Sequence, residues 1–222
     1  MNIEKIKTEI REQGIRRIEI KLNNIDNGIA NFIDIMKEML SMKNETLQLD
    51  EISHVVEYFI RWTYLMDDSI EYNKGILLKG LTGRGKTFLF RAWINFLKID
   101  RAGFYCNNEI YQISPLIVNV KRIAGEYQDP ANGGYQVIEK YSNVKSLMLD
   151  DIGKEDQFSM NYGNKVNIIE EIINIREELG MLTFGTTNYD KLADLYDDRT
   201  VSRMHKLFNV VPINHKIDFR TL

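Results

Sequence analysis

The chain has 222 residues, 44% of them hydrophobic and 27% charged, with a formal net charge of −3, which fits a globular protein that buries its own core and argues against one whose main work is coating nucleic acid. A single cysteine, Cys106, excludes an internal disulfide, and three histidines without partner cysteines give no zinc spacing. No apolar run approaches the ~20 residues that span a bilayer, and Met1–Ile10 alternates charge with isoleucine rather than reading as a signal peptide, so a reducing cytoplasm is the expected compartment and no membrane partner is expected.

The first elements read as helices. Ile15, Ile18, Leu22, Ile25, Ile29, Phe32, Met36 and Met39 recur at alternating spacings of three and four residues, one stripe of a helix surface. The run Asn23-Asn24-Ile25-Asp26-Asn27-Gly28 has poor helix propensity and bends or ends a helix there. The outcome is either a compact α-hairpin or a continuous coiled-coil helix. Residues 1–45 are therefore expected to form a helical N-terminal segment that docks on the remainder or on a partner, ahead of a core over residues 46–222. A second helical stretch runs from about Leu49 to Met66, with Asp50 as its cap and Ile52, Val55, Val56, Phe59, Ile60 and Thr63 on its buried side.

Beyond Met66 the rhythm changes to short apolar runs alternating with longer amphipathic stretches. The expected strands are Gly75–Lys79, Gly103–Asn107, Ser146–Asp150, Leu182–Thr186 and Asn209–Pro212. The expected helices are Lys86–Lys98, Pro115–Glu126, Tyr135–Tyr141, Tyr162–Leu179 and Thr200–Phe208. Strands separated by helices predict an α/β fold with a parallel sheet covered on both faces. Trp62, Trp93, Phe88 and Phe90 lie in amphipathic helices and read as core. Cys106 reads as a small buried hydrophobe in its strand.

Gly80-Leu81-Thr82-Gly83-Arg84-Gly85-Lys86-Thr87 meets the phosphate-loop pattern G-x-x-x-x-G-K-[ST] in full, with an apolar strand before it and a helix after it. The glycines permit positive φ and close approach, so backbone N–H groups can surround a phosphate, and the helix that starts at Lys86 aims its positive dipole end at the same anion. Lys86 would bridge the β- and γ-phosphates of ATP, and the Thr87 hydroxyl would join a magnesium shell. Gly80, Thr82, Gly83, Arg84, Gly85, Lys86, Thr87 and Phe88 are the expected nucleotide contacts.

The apolar strand Ser146-Leu147-Met148-Leu149 ends in Asp150-Asp151-Ile152-Gly153. Ligands sit at the carboxyl ends of parallel strands, which places both acids opposite the phosphate loop. Asp150 would hold magnesium, and Asp151 would polarise the attacking water as general base. A third strand leaves through Thr186-Thr187-Asn188, where Asn188 could orient that water; the same residues are also a good cap for the element that follows.

Taken together, these pieces resemble the AAA+ ATPases, and within them the helicase-loader group typified by DnaC and DnaI, with its transposition relative IstB. The resemblance covers roughly residues 48–222. It rests on Gly80–Thr87, on Asp150-Asp151-Ile152-Gly153 with Glu155 just after, on Ile173-Asn174-Ile175-Arg176, on Thr186-Thr187-Asn188, and on Arg199-Thr200-Val201-Ser202-Arg203-Met204. It implies an AAA+ core with a five-stranded parallel sheet and no C-terminal helical lid. It also puts Asn188 at the sensor 1 position and Arg199 and Arg203 at the intersubunit arginines, Arg203 being the better arginine finger. Arg220, in Asp218-Phe219-Arg220, resembles the terminal arginine of the loaders and would act as a sensor 2 substitute. The N-terminal 45 residues carry no zinc-finger cysteines and no clear loader signature, so here the chain departs from the group.

The function this implies is a slow, oligomer-dependent ATPase that acts with a hexameric replicative helicase and single-stranded DNA in replication. Two alternatives stand beside it. One is a transposition helper that coats duplex DNA, and the other a regulatory switch in which nucleotide binding matters and turnover does not. The tail from Arg199 to Leu222 is basic and either faces DNA or is a solvated surface. The segment Asn107–Tyr111 is the place where family geometry would put a DNA contact.

Overall fold

A computed structural model describes residues 16–17, 25–42, 50–100, 102–106, 109–156, 158–161 and 164–214. In chain order, the first elements are β1 (Arg16–Arg17), α1 (Ile25–Ser41), α2 (Ser53–Tyr64), β2 (Gly75–Lys79) and α3 (Lys86–Asp100). There follow β3 (Gly103–Cys106), β4 (Glu109–Gln112), β5 (Leu116–Asn119), α4 (Val120–Gln128) and α5 (Tyr135–Ser142). The last are β6 (Ser146–Ile152), β7 (Ser159–Asn161), β8 (Asn164–Val166), α6 (Ile168–Glu178), β9 (Leu182–Thr187), α7 (Asp198–Leu207) and β10 (Phe208–Pro212).

The main sheet has five strands in the order β10-β2-β9-β6-β5, every neighbouring pair parallel. Side chains alternate across its plane and helices cover both faces, as the sequence predicts. Ile76, Leu78, Met148, Leu182, Phe184 and Val211 point into the core shared with α1, α2 and α3. Leu77, Leu147, Leu149 and Phe208 point into the core shared with α4 to α7.

The first of these cores is aromatic. Phe59, Trp62, Phe90, Trp93 and Phe184 are all fully buried and meet mostly edge to face, with centroids 5.0 to 6.1 Å apart. Their polar edges are satisfied: the Trp62 indole N–H donates to the Lys74 carbonyl (2.9 Å) and that of Trp93 to Thr63 Oγ1 (2.9 Å). Helix α1 joins this core through Phe32 and Met36, both fully buried; Phe32 lies 5.9 Å from the Phe59 ring and 5.6 Å from Phe96. At about 1.5–3 kcal/mol per buried large apolar side chain, these two residues fasten the helix to the core.

Several expectations are corrected. Arg16 and Arg17 pair antiparallel with β3, which excludes a helix running on from Ile15. Helix α2 begins at Ser53, and Asp50 contributes only its backbone carbonyl, to Ser53 Oγ. Gly103–Cys106 lies in a separate antiparallel sheet with β1 and β4, and the fifth parallel strand is Leu116–Asn119. The helix expected over Pro115–Glu126 is a strand as far as Asn119. The apolar run Leu116-Ile117-Val118 is extended, and Asn119 then caps α4 by accepting from the Lys121 amide (3.0 Å). The helix expected from Tyr162 starts only at Ile168, capped by Asn167, after the hairpin β7–β8.

Arg176 is the largest fully buried charged side chain among the described residues, with no exposed surface. Its guanidinium donates to the carbonyls of Tyr141 (3.0 Å), Ser142 (3.1 Å), Val144 (2.6 Å) and Leu182 (2.8 Å) and to Thr183 Oγ1 (2.9 Å). It binds the last carbonyls of α5, where the helix dipole favours a cation, to the start of β9. Burial lowers its pKa to about 9. Arg176→Met would leave those acceptors unpaired, and we expect a loss of at least about 3 kcal/mol in unfolding free energy by urea titration.

Glu126 is the hub between α4 and α5. Burial alone would raise its pKa, but hydrogen bonds from Lys140, Tyr141 and Arg122 outweigh this and bring it from 4.5 down to about 2. The native state's advantage from Glu126 is therefore complete above pH 4.5 and fades as pH falls towards 2. With partly exposed cations it is worth roughly 1 kcal/mol. Thermal melts of Glu126→Gln should fall below wild type at pH 7 and converge with it across that acid window.

Candidate nucleotide site

Residues Gly80–Thr87 leave the carboxyl end of β2 and enter α3 through two left-handed glycines, Gly83 at φ 84° and Gly85 at φ 76°. This conformation, which only glycine adopts without strain, turns backbone N–H groups inward at the start of α3. Lys86 is buried at 6% exposure, and its ammonium donates to the carbonyls of Gly80 (2.5 Å) and Leu81 (2.8 Å) and to Asn188 Oδ1 (2.6 Å). Arg84 is half-buried beside it, Thr82 is exposed, and Phe88 packs against the aromatic core.

The two acids meet this loop through hydroxyls. Thr87 Oγ1 donates to Asp150 Oδ1 (2.8 Å), and Thr186 Oγ1, one strand away on β9, donates to the same oxygen (2.7 Å). Thr186 Oγ1 also accepts from the Asp151 amide (2.8 Å). Asp151 sits at φ 66°, where the β6–β9 register shifts between Leu149 and Ile152. Its carboxylate meets Lys154 Nζ (3.0 Å) and Asn188 Nδ2 (3.3 Å) on Oδ1, and Asn119 Nδ2 (3.4 Å) on Oδ2. Asn188 thus bridges Lys86 and Asp151.

The structure therefore brings Lys86, Thr87, Asp150, Asp151 and Asn188 to one point at the carboxyl ends of β2, β6 and β9. The Thr87 hydroxyl and Asp150 carboxylate are hard oxygen donors side by side, a pair that suits a magnesium ion taking the rest of its shell from phosphate and water. Arg199 and Arg203 lie apart on α7. Arg199 is exposed in the first turn. Arg203 donates to the Asn174 carbonyl (2.8 Å) and to Glu178 (2.8 Å) and pairs with Glu177 (3.2 Å), leaving its side chain 12% exposed. Arg220 lies outside the described residues.

Sequence reasoning missed four contributors. Asn119 was hidden inside a helix assignment, and Thr186 read only as a small polar residue. Lys154 and Tyr196 carried no pattern. Tyr196 donates to Glu155, whose other oxygen accepts from the Gly153 amide (2.9 Å).

No protein-family model matches the chain, and no curated protein matches it. Solved structures do. A structure of DnaI is 23% identical over 80% of this chain and 89% of that one, with a TM-score of 0.56. A structure of the DnaC helicase loader is 18% identical over 77% of this chain and 94% of that one, with a TM-score of 0.56. AMPPCP-bound DnaA from Aquifex aeolicus is 18% identical over 80% of this chain and 51% of that one, with a TM-score of 0.52. At these identities the likeness is one of fold: the chain shares the fold of the DnaI and DnaC structures.

Lys86→Ala removes the cation that the loop carbonyls and Asn188 hold in place. Affinity for a fluorescent ATP analogue should fall at least tenfold, with the far-ultraviolet circular dichroism of the nucleotide-free protein showing that the fold is kept.

Proposed function

We propose that the chain is an ATP-hydrolysing helicase loader that works as an oligomer on single-stranded DNA and a hexameric replicative helicase. The observation that carries this reading is the convergence of Lys86, Thr87, Asp150, Asp151 and Asn188 within hydrogen-bonding reach, on a fold shared with DnaI and with the DnaC helicase loader.

In the reaction, the amides of the phosphate loop and the N-terminus of α3 receive the β-phosphate of ATP. Lys86 exchanges its loop carbonyls and Asn188 for β- and γ-phosphate oxygens, which releases the Asn188 amide to orient a water. Thr87 and Asp150 would hold magnesium, which when bound neutralises charge on the phosphates. Asp151 takes a proton from the oriented water as its oxygen bonds to the γ-phosphorus and the bond to the ADP oxygen breaks. Arg199 and Arg203 act on the ATP of a neighbouring subunit, where a guanidinium stabilises charge developing in the transition state. Arg220 acts in cis as the sensor 2 substitute. The compartment is the cytoplasm.

Residues 1–45 are proposed as the segment that meets the helicase. The apolar stripe of α1 is already used against the core, so its outward face and the residues before it would make the contact.

The test is ATPase rate per subunit against protein concentration, with no DNA, single-stranded DNA or duplex DNA, for wild type, Arg199→Ala and Arg203→Ala. A rate that rises with concentration, responds to single-stranded DNA and falls at least a hundredfold in an arginine variant is expected. Stimulation by duplex DNA alone would select the transposition-helper reading instead. A rate indifferent to concentration, DNA and both arginines would remove the oligomeric mechanism.

A further inference from the structure

The turn that follows the two acids is tied to the segment that leads into α7. Glu155 receives the Gly153 amide on one carboxylate oxygen (2.9 Å) and the Tyr196 hydroxyl on the other. Tyr196 is buried at 6% exposure. Gly153, at φ 93°, lies so close to the same segment that a Cβ there would stand 2.6 Å from Leu195 Cδ1 and 2.7 Å from Tyr189 Cδ2. On the β9 side, Thr187 Oγ1 donates to the Ile152 carbonyl (2.9 Å) and accepts from the Tyr189 amide (3.2 Å).

The two ends of this link are informative. Gly153 is two residues beyond Asp151. Tyr196 immediately precedes Asp197, which caps α7 by accepting from the Thr200 amide (2.7 Å). Arg199 lies in the first turn of that helix, and Arg203 one turn later. Tyr196 is buried and Glu155 half-buried, and burial raises the pKa of both, so holding these polar groups here carries a cost that apolar side chains would not incur. Apolar packing would also allow the two segments to slide. A bidentate carboxylate with one donor from each segment fixes their relative position.

We propose that Glu155 and Tyr196 are positioning residues that set the pose of α7, and with it the arginines offered to a neighbouring subunit, from the turn that carries Asp151. The proposal rests on the trans-acting role of Arg199 and Arg203 given above. In each subunit the link ties the position of the arginines presented outward to the turn beyond that subunit's own Asp151, so the geometry of one site reaches its neighbour.

Full-length Tyr196→Phe removes one hydroxyl. It should bind a fluorescent ATP analogue within twofold of wild type, while its turnover at saturating protein falls about tenfold. Adding an excess of Asp151→Asn subunits, which are hydrolysis-dead but keep Tyr196, should then restore the turnover of Tyr196→Phe subunits towards wild type, because each intact site gains a neighbour with a correctly posed α7. A merely structural defect would not be rescued by a neighbour. Glu155→Met removes both acceptor oxygens and should repeat the pattern if Tyr196→Phe binds nucleotide poorly. Wild-type turnover in both variants, or loss that Asp151→Asn subunits do not relieve, would overturn the proposal while leaving the arginine mechanism in place. Wild-type turnover that does not depend on concentration or on either arginine would overturn both.

Discussion

Two adjacent carboxylates cannot serve one site from a regular strand, because successive side chains point to opposite faces of the sheet. The candidate site depends on how β6 evades that rule. Its pairing with β9 is regular from Ser146 to Leu149 and resumes at Ile152 opposite Thr187 after a register shift. Inside the irregularity Asp151 adopts a left-handed conformation, at a cost of order 1–3 kcal/mol for a residue with a side chain. The result is that Asp150 reaches Thr87 while Asp151 reaches Asn188 and Lys154. Thr186 holds the distortion in place: its single hydroxyl donates to Asp150 and accepts from the Asp151 amide, so that amide is not left unpaired by the register shift.

This arrangement requires β9 to stay where it is, and the rest of the fold is built to keep it there. Its first residues, Leu182 and Thr183, are gripped by the buried Arg176 guanidinium. Phe184, next along, inserts into the aromatic cluster of α2 and α3. Gly185 makes room for Ile152 and Leu77, whose methyl groups would lie 2.7 and 3.1 Å from a Cβ. A central strand buried on both faces has no solvent-side freedom to absorb a shift. The fixed partner is thus β9, and the strained turn of β6 is shaped against it.

The phosphate loop and the acidic strand end were legible because their chemistry needs particular residues at particular spacings. Gly83 and Gly85 are demanded by backbone conformation, and Lys86-Thr87 by charge and a hydroxyl. Strands buried on both faces were equally plain, since Ile76-Leu77-Leu78 and Leu147-Met148-Leu149 are apolar at every position. What failed was the edge. Leu116-Ile117-Val118 is only partly covered, with Leu116 47% exposed, and runs directly into the α4 cap, so its short apolar run merged with the helical pattern behind it. Asn119 was lost with it. The hairpin β7–β8 was lost for a related reason, because three-residue strands carry too few residues to show a period.

Arg203 poses the remaining question, because a trans-acting arginine has to leave its own subunit's side chains. Its partners Glu177 and Glu178 belong to α6, and Glu177 also pairs with Lys206 (3.1 Å), so withdrawing Arg203 leaves that carboxylate with a cation. Glu178 is 62% exposed and returns to water. The Glu178 pair ends on an exposed carboxylate and is worth about 0–1 kcal/mol. Arg203 and Glu177, with side chains 12% and 19% exposed, form a largely covered pair, and the Asn174 carbonyl accepts from the same guanidinium (2.8 Å), so releasing the arginine costs more than breaking a surface pair. Under the proposed function, that cost has to be offset by what the guanidinium gains against the γ-phosphate in a closed subunit interface. A second constraint on α7 lies at its other end, where Asp197 caps the helix and Tyr196 anchors it to the turn beyond Asp151.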